Sequence, residues 1–191
     1  MAVVDVKDPE EEALAALDRH DWNAALTTLM TAYGTQIYRH CRHVLADDTA
    51  ADELHQLVFV EAYRDLPRFE RRSRLRTWLY GIARHRCLDA LRVRRRDASR
   101  FETGATVTER VDDGPDGAAH VEAQALRAAL AASLATLPPE SRVAVLLRFE
   151  EGLSYEEMST ICDERPATLQ ARVARALPVM RRWLEAHGVA P

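Results

Sequence analysis

The feature that most narrows what this chain can fold into is a helical rhythm of apolar residues that runs along nearly all of it and lapses once. Leu26, Leu29, Met30, Tyr33, Ile37, Cys41 and Leu45 recur at helical spacing, as do Leu75, Leu79, Ile82, Ala83, Cys87 and Leu91. The strict alternation of a half-buried strand is missing, so the expected fold class is all-α, with seven or eight helices. Asp8-Pro9 is a good cap and first-turn pair for a helix reaching about His20. A second helix is expected from Asp21 to about Leu45, and a third from the Asp47-Asp48-Thr49 cap to just before Pro67, since proline disfavours helix in the residue preceding it. A fourth spans about Ser73 to Arg96. From 97 to 119 the rhythm gives way to Thr, Asp, Gly and Pro, most clearly in Asp112-Asp113-Gly114-Pro115-Asp116-Gly117, the composition of a flexible linker. The pattern resumes near His120. This predicts an N-terminal helical bundle over 1–96, of which 1–20 is an extra N-terminal extension, then a linker over 97–119 and a smaller helical domain over 120–191. A hydrophobic fraction of 47% in 191 residues suffices for such cores.

Charge sharpens the division. The net charge of −4 hides a sorting into blocks: residues 1–63 carry twelve acids and four bases, and 64–100 carry thirteen arginines and four acids. Residues 101–164 return to thirteen acids and four arginines, and from Arg165 onward five arginines stand against Glu185 alone. Two cationic segments between anionic ones point to two polyanion contacts, with acidic faces left for a protein partner. Nearly all the bases are arginine, Lys7 being the one lysine; arginine suits bidentate contacts to phosphate and guanine.

Other classes find little support. No stretch approaches the eighteen or more apolar residues of a membrane helix, so no membrane span is expected. Asp5, Asp8, Glu10, Glu11 and Glu12 oppose a basic secretory leader, which makes the cytoplasm the expected compartment. Cys41, Cys87 and Cys162 lie far apart and fit reduced thiols. There is no Gly-rich phosphate loop, HExxH or nucleophile elbow, so no enzyme, catalytic residue or cofactor is expected. A metal- or redox-sensing reading draws on His40, Cys41 and His43 with His85 and Cys87, because His40 and His43 share a helix face. Cys41 and Cys87 sit on apolar stripes, however, where cysteine is commonly an inert core residue.

The C-terminal part carries a sharper motif. In Leu153-Ser154-Tyr155-Glu156-Glu157-Met158 the Ser154 hydroxyl can accept from the Glu157 amide while Glu157 reaches back to the Ser154 amide, a capping box. The helix it starts should last to about Cys162. After Asp163-Glu164-Arg165 another should begin with Pro166 in its first turn, where the missing N–H costs nothing. Tyr155, Met158, Ile161, Leu169 and Val173 are spaced to pack inward, the arrangement of a helix-turn-helix that docks in a major groove. Gln170, Arg172 and Arg175 then face outward, with no acid from Pro166 to Trp183. Arg172 and Arg175 are expected as phosphate contacts rather than base readers. Pro178 removes the amide bond to Ala174 and should kink or end this helix.

The order of these elements resembles the sigma-70 family of RNA polymerase sigma factors, in its extracytoplasmic-function (ECF) group. Ala51-Asp52-Glu53-Leu54-His55-Gln56-Leu57-Val58-Phe59-Val60 resembles the family's region 2.2. Phe69, Leu75-Arg76-Thr77-Trp78-Leu79-Tyr80-Gly81-Ile82-Ala83-Arg84-His85 and Asp89-Ala90-Leu91-Arg92 resemble regions 2.3 and 2.4. Leu134-Ala135-Thr136-Leu137-Pro138-Pro139-Glu140-Ser141-Arg142, Glu151-Gly152-Leu153-Ser154-Tyr155-Glu156-Glu157 and Pro166-Ala167-Thr168-Leu169 resemble region 4. The resemblance implies a non-enzymatic subunit that binds core RNA polymerase through the β′ clamp helices and the β flap, and promoter DNA at the minus-10 and minus-35 elements. It admits an anti-sigma protein as a further partner. By the same resemblance Asp52, Glu53 and Gln56 contact core polymerase, though on their own they read as ordinary first-turn acids and a neighbour. Phe69, Arg74, Arg76, Trp78, Tyr80, Arg84, His85, Arg92 and Arg95 fall to the minus-10 element, and Thr168, Gln170, Ala171, Arg172 and Arg175 to the minus-35 element. Independently, a cationic segment with Phe69, Trp78 and Tyr80 offers phosphate attraction and π-faces together, which suits unstacked bases. Trp78 borders the apolar stripe and can serve the core equally, and the Arg92 to Arg96 run can be a solvated helix end.

Departures from the family pattern are His85 in place of Asn, Leu57 in place of Glu, and Asp163-Glu164 in the turn, where Asp tolerates a left-handed conformation. Leu177-Pro178 replaces a stretch that is usually basic. The main rival is a helix-turn-helix regulator that never touches polymerase. It accounts for the C-terminus only.

Overall fold

The computed structural model describes residues 8–98 and 118–189. Among them are eight α-helices, one short 3-10 turn and no strand. The expected linker falls largely on residues 99–117, which lie outside the described ones.

Four helices make the N-terminal half: α1 (Pro9–Asp18), α2 (Trp22–Leu45), α3 (Asp48–Asp65) and α4 (Leu75–Ala98), with a 3-10 turn at Leu66–Arg68. Aspartates set the first three starts. Asp8, Asp21 and Asp47 each accept from a backbone amide of the first turn, at Glu10, Ala24 and Ala50, so orphan donors are satisfied without burying charge. Pro67 sits inside the 3-10 turn, and α3 ends two residues before it.

Residues 8–18 are not loose. Ala13, Ala16 and Leu17 are buried with Ala25 and Leu29 of α2, Leu66 and Leu75, in a cluster of their own. Glu10, nearly buried, accepts from the amides of Leu75 at 3.0 Å and Arg76 at 2.7 Å. Its carboxylate thereby caps α4 from another helix, meeting both the unpaired amides and the positive dipole end of that helix. The N-terminal extension is thus a packed helix that sets where α4 begins.

The C-terminal half holds α5 (Ala118–Ala135), α6 (Pro139–Phe149), α7 (Tyr155–Cys162) and α8 (Pro166–Ala186). Both sides of the capping box are made, from Ser154 to Glu157 and back. Asp163 adopts the left-handed conformation at φ 53°, so the acidic turn closes as expected. Pro178 is the exception. The helix does not end there but continues to Ala186, so α8 spans 21 residues with the proline inside it. Ala176 and Met180 are buried on either side of Pro178 and hold α8 to α5 and α6, so packing offsets the lost Ala174 bond.

The two halves are not separate bodies. One buried cluster runs from Ile37, Cys41, Val44, Leu79, Tyr80 and Cys87 into Val143, Leu147, Leu153, Met158 and Cys162. The seam is formed chiefly by α4 against α7, supported by α2 and α4 against α6.

Candidate nucleic-acid interface

Two basic helices were expected to meet DNA, and they sit in different surroundings. On α8, Thr168, Gln170, Ala171 and Arg175 are exposed, while Leu169, Val173 and Ala176 hold the opposite face to α6 and α7. This is the geometry a major-groove helix needs: one stripe locked to its supporting helices and the other bare. Arg175 Nε donates to the Ala171 carbonyl at 3.2 Å, leaving the head of its guanidinium outward. Arg172 is less free. Its two terminal nitrogens donate to both carboxylate oxygens of Glu164, each at 2.6 Å, so Glu164 occupies the fork that a phosphate would use.

On α4 the expected minus-10 residues divide. Phe69 and Trp78 are half-buried with ring centroids 5.3 Å apart, a tilted pair at the start of the helix. Arg74, His85, Arg92 and Arg95 are exposed. His85 lies 3.1 Å from Asp89, and Arg92 donates to the same carboxylate at 2.7 Å. Arg74 stands 3.8 Å from Asp8 and 3.9 Å from Glu10.

The others turn inward. Tyr80 is fully buried and donates to the carboxylate of Glu151, so its ring is not offered to a base in this arrangement. The reason is register: Tyr80 lies one turn from Ala83 and two turns from Cys87, both buried, which puts it on the core side of α4. Arg76 Nη2 donates to the Glu151 carbonyl at 2.8 Å and approaches its carboxylate at 3.3 Å. Burial raises the pKa of the Cys162 thiol, and the nearby Arg84 guanidinium opposes that shift, so Arg84 too faces the C-terminal half. Three of the nine expected minus-10 residues therefore face the C-terminal half.

Electrostatics follow from that burial. Desolvation raises the Tyr80 hydroxyl, with the Glu151 hydrogen bond adding to the effect. Burial also raises Glu151 above the usual carboxylate range, although the Tyr80 and Arg76 bonds oppose it. For Glu150, burial pushes up but the hydrogen bond and charge of His43, 2.9 Å away, prevail and the pKa is lowered. His40, wholly buried, has neither ring nitrogen hydrogen-bonded, and desolvation lowers it from 6.5 to about 4.

On α3, Asp52, Glu53 and Gln56 are all exposed, and Leu57, Val60 and Tyr63 extend the same helix surface with apolar groups. An acidic-to-apolar surface of this kind suits a protein partner better than a polyanion. The metal reading fares differently. His40, Cys41 and Cys87 are buried, His43 is engaged by Glu150, and the described residues contain no group of three or more side chains able to hold a metal ion. No helix of the described residues is long and apolar enough to cross a membrane.

Sequence reasoning missed Glu10, Arg142 and Glu151. Arg142 carried a signal, a cation heading the apolar run Val143-Ala144-Val145-Leu146-Leu147. Glu151 is hard to tell from the other acids around the Gly152 turn, and its partners lie 71 and 75 residues away.

The fold is thus a helical bundle joined to a helix-turn-helix, and each of the two carries an arginine-rich helix with an exposed face. The sigma-70 region 2 family model matches residues 29–97, and the sigma-70 region 4 model matches residues 127–177. The ECF RNA polymerase sigma factor SigC of Mycobacterium tuberculosis is 33% identical over 170 residues, covering 88% of this chain and 89% of that protein. SigW of Bacillus subtilis is 25% identical over 168 residues, covering 84% and 89%. In fold, the chain resembles the sigma factor RpoE of Bartonella quintana, solved with the anti-sigma factor NepR, at a TM-score of 0.70 and 21% identity over 83% of this chain and 96% of that one. CnrH, solved with the cytosolic domain of CnrY, gives a TM-score of 0.65 at 22% identity over 94% and 99%. The chain belongs to the sigma-70 family of RNA polymerase sigma factors, in its ECF group.

Proposed function

We propose that this sigma factor directs core RNA polymerase to promoters by engaging the minus-35 element with α8 and the minus-10 element with the start and outer face of α4, while α3 docks on the polymerase. The observation that carries this reading is the coexistence, on one chain, of a bare cationic helix face behind a capped turn and an exposed acidic-to-apolar face on α3. A regulator that bound DNA alone would have no use for the second.

Arg175 is the phosphate contact of α8, with Thr168, Gln170 and Ala171 placed to approach base edges and Arg172 released from Glu164 on binding. Asp52, Glu53 and Gln56 contact the β′ clamp helices, and the C-terminal half meets the β flap. Phe69 and Trp78 supply the π-faces for unstacked bases. An anti-sigma protein is a fitting regulator. The polymerase performs the chemistry, in the cytoplasm, and the sigma factor contributes only recognition and strand capture, with no cofactor.

The deciding experiment is gel filtration of the purified chain with core polymerase, followed by run-off transcription on a genomic fragment library. Co-elution and initiation are expected, and Asp52→Ala with Gln56→Ala should weaken co-elution while the helical content stays unchanged. Failure of both co-elution and initiation overturns the reading. Arg175→Ala should reduce the salt slope of promoter binding by about one unit, and a slope equal to wild type removes Arg175 from the phosphate contacts.

A further inference from the structure

The turn that joins α7 to α8 carries two acids, Asp163 and Glu164, just before the cationic helix. They serve different ends. Asp163 takes the left-handed conformation that closes α7, and it is exposed. Glu164 reaches eight residues along the chain, where its Oε1 and Oε2 accept from Nη1 and Nη2 of Arg172, both at 2.6 Å. The side chains of Arg172 and Glu164 are 22% and 23% exposed, so water and salt screen this pair less than a pair on open surface.

A carboxylate bonded at two points to a guanidinium has the geometry and charge of a phosphate contact. Arg172 lies among the outward residues of α8, with Thr168, Gln170, Ala171 and Arg175 exposed around it. Arg175, three residues on, bonds the Ala171 carbonyl instead and keeps its guanidinium outward. These two arginines therefore differ in kind: one is offered to any phosphate, and the other is neutralised by its own chain. A phosphate can take Arg172 only by displacing Glu164, whose carboxylate then lies beside the incoming anion. Such an exchange swaps one anion for another and adds a repulsion. At a random sequence nothing offsets that repulsion. Where base edges fit Thr168, Gln170 and Ala171, direct contacts hold α8 in register and draw the exchange through. Specificity is a difference between two affinities, and a penalty that falls mainly on the wrong site raises it.

We propose that Glu164 is a specificity-determining residue of the α8 interface: it occupies Arg172 in place of a phosphate, withholds that charge from DNA at large, and yields it where the base edges fit. The proposal rests on the docking of α8 in the major groove and makes the phosphate contact of Arg172 conditional on sequence.

Fluorescence anisotropy of the full chain with a mixed-sequence duplex, repeated across salt concentrations, tests it. Glu164→Gln keeps the shape and removes the charge. It should tighten binding several-fold and steepen the slope of log affinity against log salt by about one unit, the signature of one more phosphate contact. Asp163→Asn loses the same charge one residue away, at a position where Asn tolerates the left-handed backbone, and should move the slope far less. Combining Glu164→Gln with Arg172→Ala should return the slope to near wild type. On a promoter fragment recovered by run-off transcription Glu164→Gln should gain less than on the mixed duplex, so that the ratio of the two affinities falls several-fold. An unchanged slope in Glu164→Gln overturns the proposal and leaves the pair as a fastener of the turn. Equal steepening in Asp163→Asn, or an equal gain on both duplexes, overturns it too. Glu164→Ala carries the same test if the Gln variant loses helical content. Arg175→Ala separates this proposal from the docking of α8. If it lowers the slope while Glu164→Gln does nothing, α8 meets DNA and only the role of Glu164 fails; no effect from either variant removes α8 from the duplex, and the proposal with it.

Discussion

The two basic helices teach different lessons about how a binding face is kept. α8 holds its outer face bare by using Leu169, Val173, Ala176 and Met180 as one apolar stripe, so its exposed residues depend only on helices of its own half. α4 is gripped on several sides, by α2 and α3 within its half and by α6 and α7 from the other, and its Arg76 and Tyr80 are engaged across the seam, which Arg84 also faces. The same residue chemistry is thus available in one place and withheld in the other. What differs is the partner, not the helix.

Arg142→Ala is the harshest way to break that contrast. It leaves carbonyls at Val44, Leu134 and Ala135 without their charged donor, and should cost about 3 to 5 kcal/mol in urea unfolding. A loss under about 1 kcal/mol would mean that water replaces the guanidinium and that the seam does not depend on it. Acid should act next. His40 meets Tyr80 edge-on at the seam, with ring centroids 5.3 Å apart and Glu150 and His43 as its charged neighbours. Its pKa is lowered to about 4 in the folded protein against 6.5 otherwise. The unfolded chain therefore binds a proton first as pH falls. Stability present above pH 6.5 is lost between there and pH 4, by about 3 kcal/mol in full. Glu150, lowered, adds to the loss at the acid end, whereas Glu151, raised, works against it. Unfolding midpoints measured across this range in wild type and His40→Phe test the assignment, and parallel curves would refute it. Ser154→Ala is the mildest and the most local. Loss of the capping box should cost about 1 kcal/mol and raise hydrogen exchange in α7 while α1 stays protected. Equal loosening of α1 would show that the halves unfold as one unit.

The sequence by itself determined the helices, because their signals are local. Asp8, Asp21 and Asp47 cap within three residues, the Ser154 and Glu157 pair closes on itself, and the apolar stripes repeat within two turns. The bare face of α8 was legible for the same reason, since period and charge on one helix suffice to separate an inner from an outer side. Only the tertiary structure decided that α8 runs on through Pro178, that the first helix caps α4 through Glu10, and that Tyr80 belongs to the core rather than to a base. It also decided that the halves, read as independent modules on a slack connector, share one buried cluster. The physical reason is that burial and hydrogen-bond satisfaction are settled between groups far apart in the chain, as Tyr80 and Arg76 with Glu151 are, and no local pattern records which distant partner will be present.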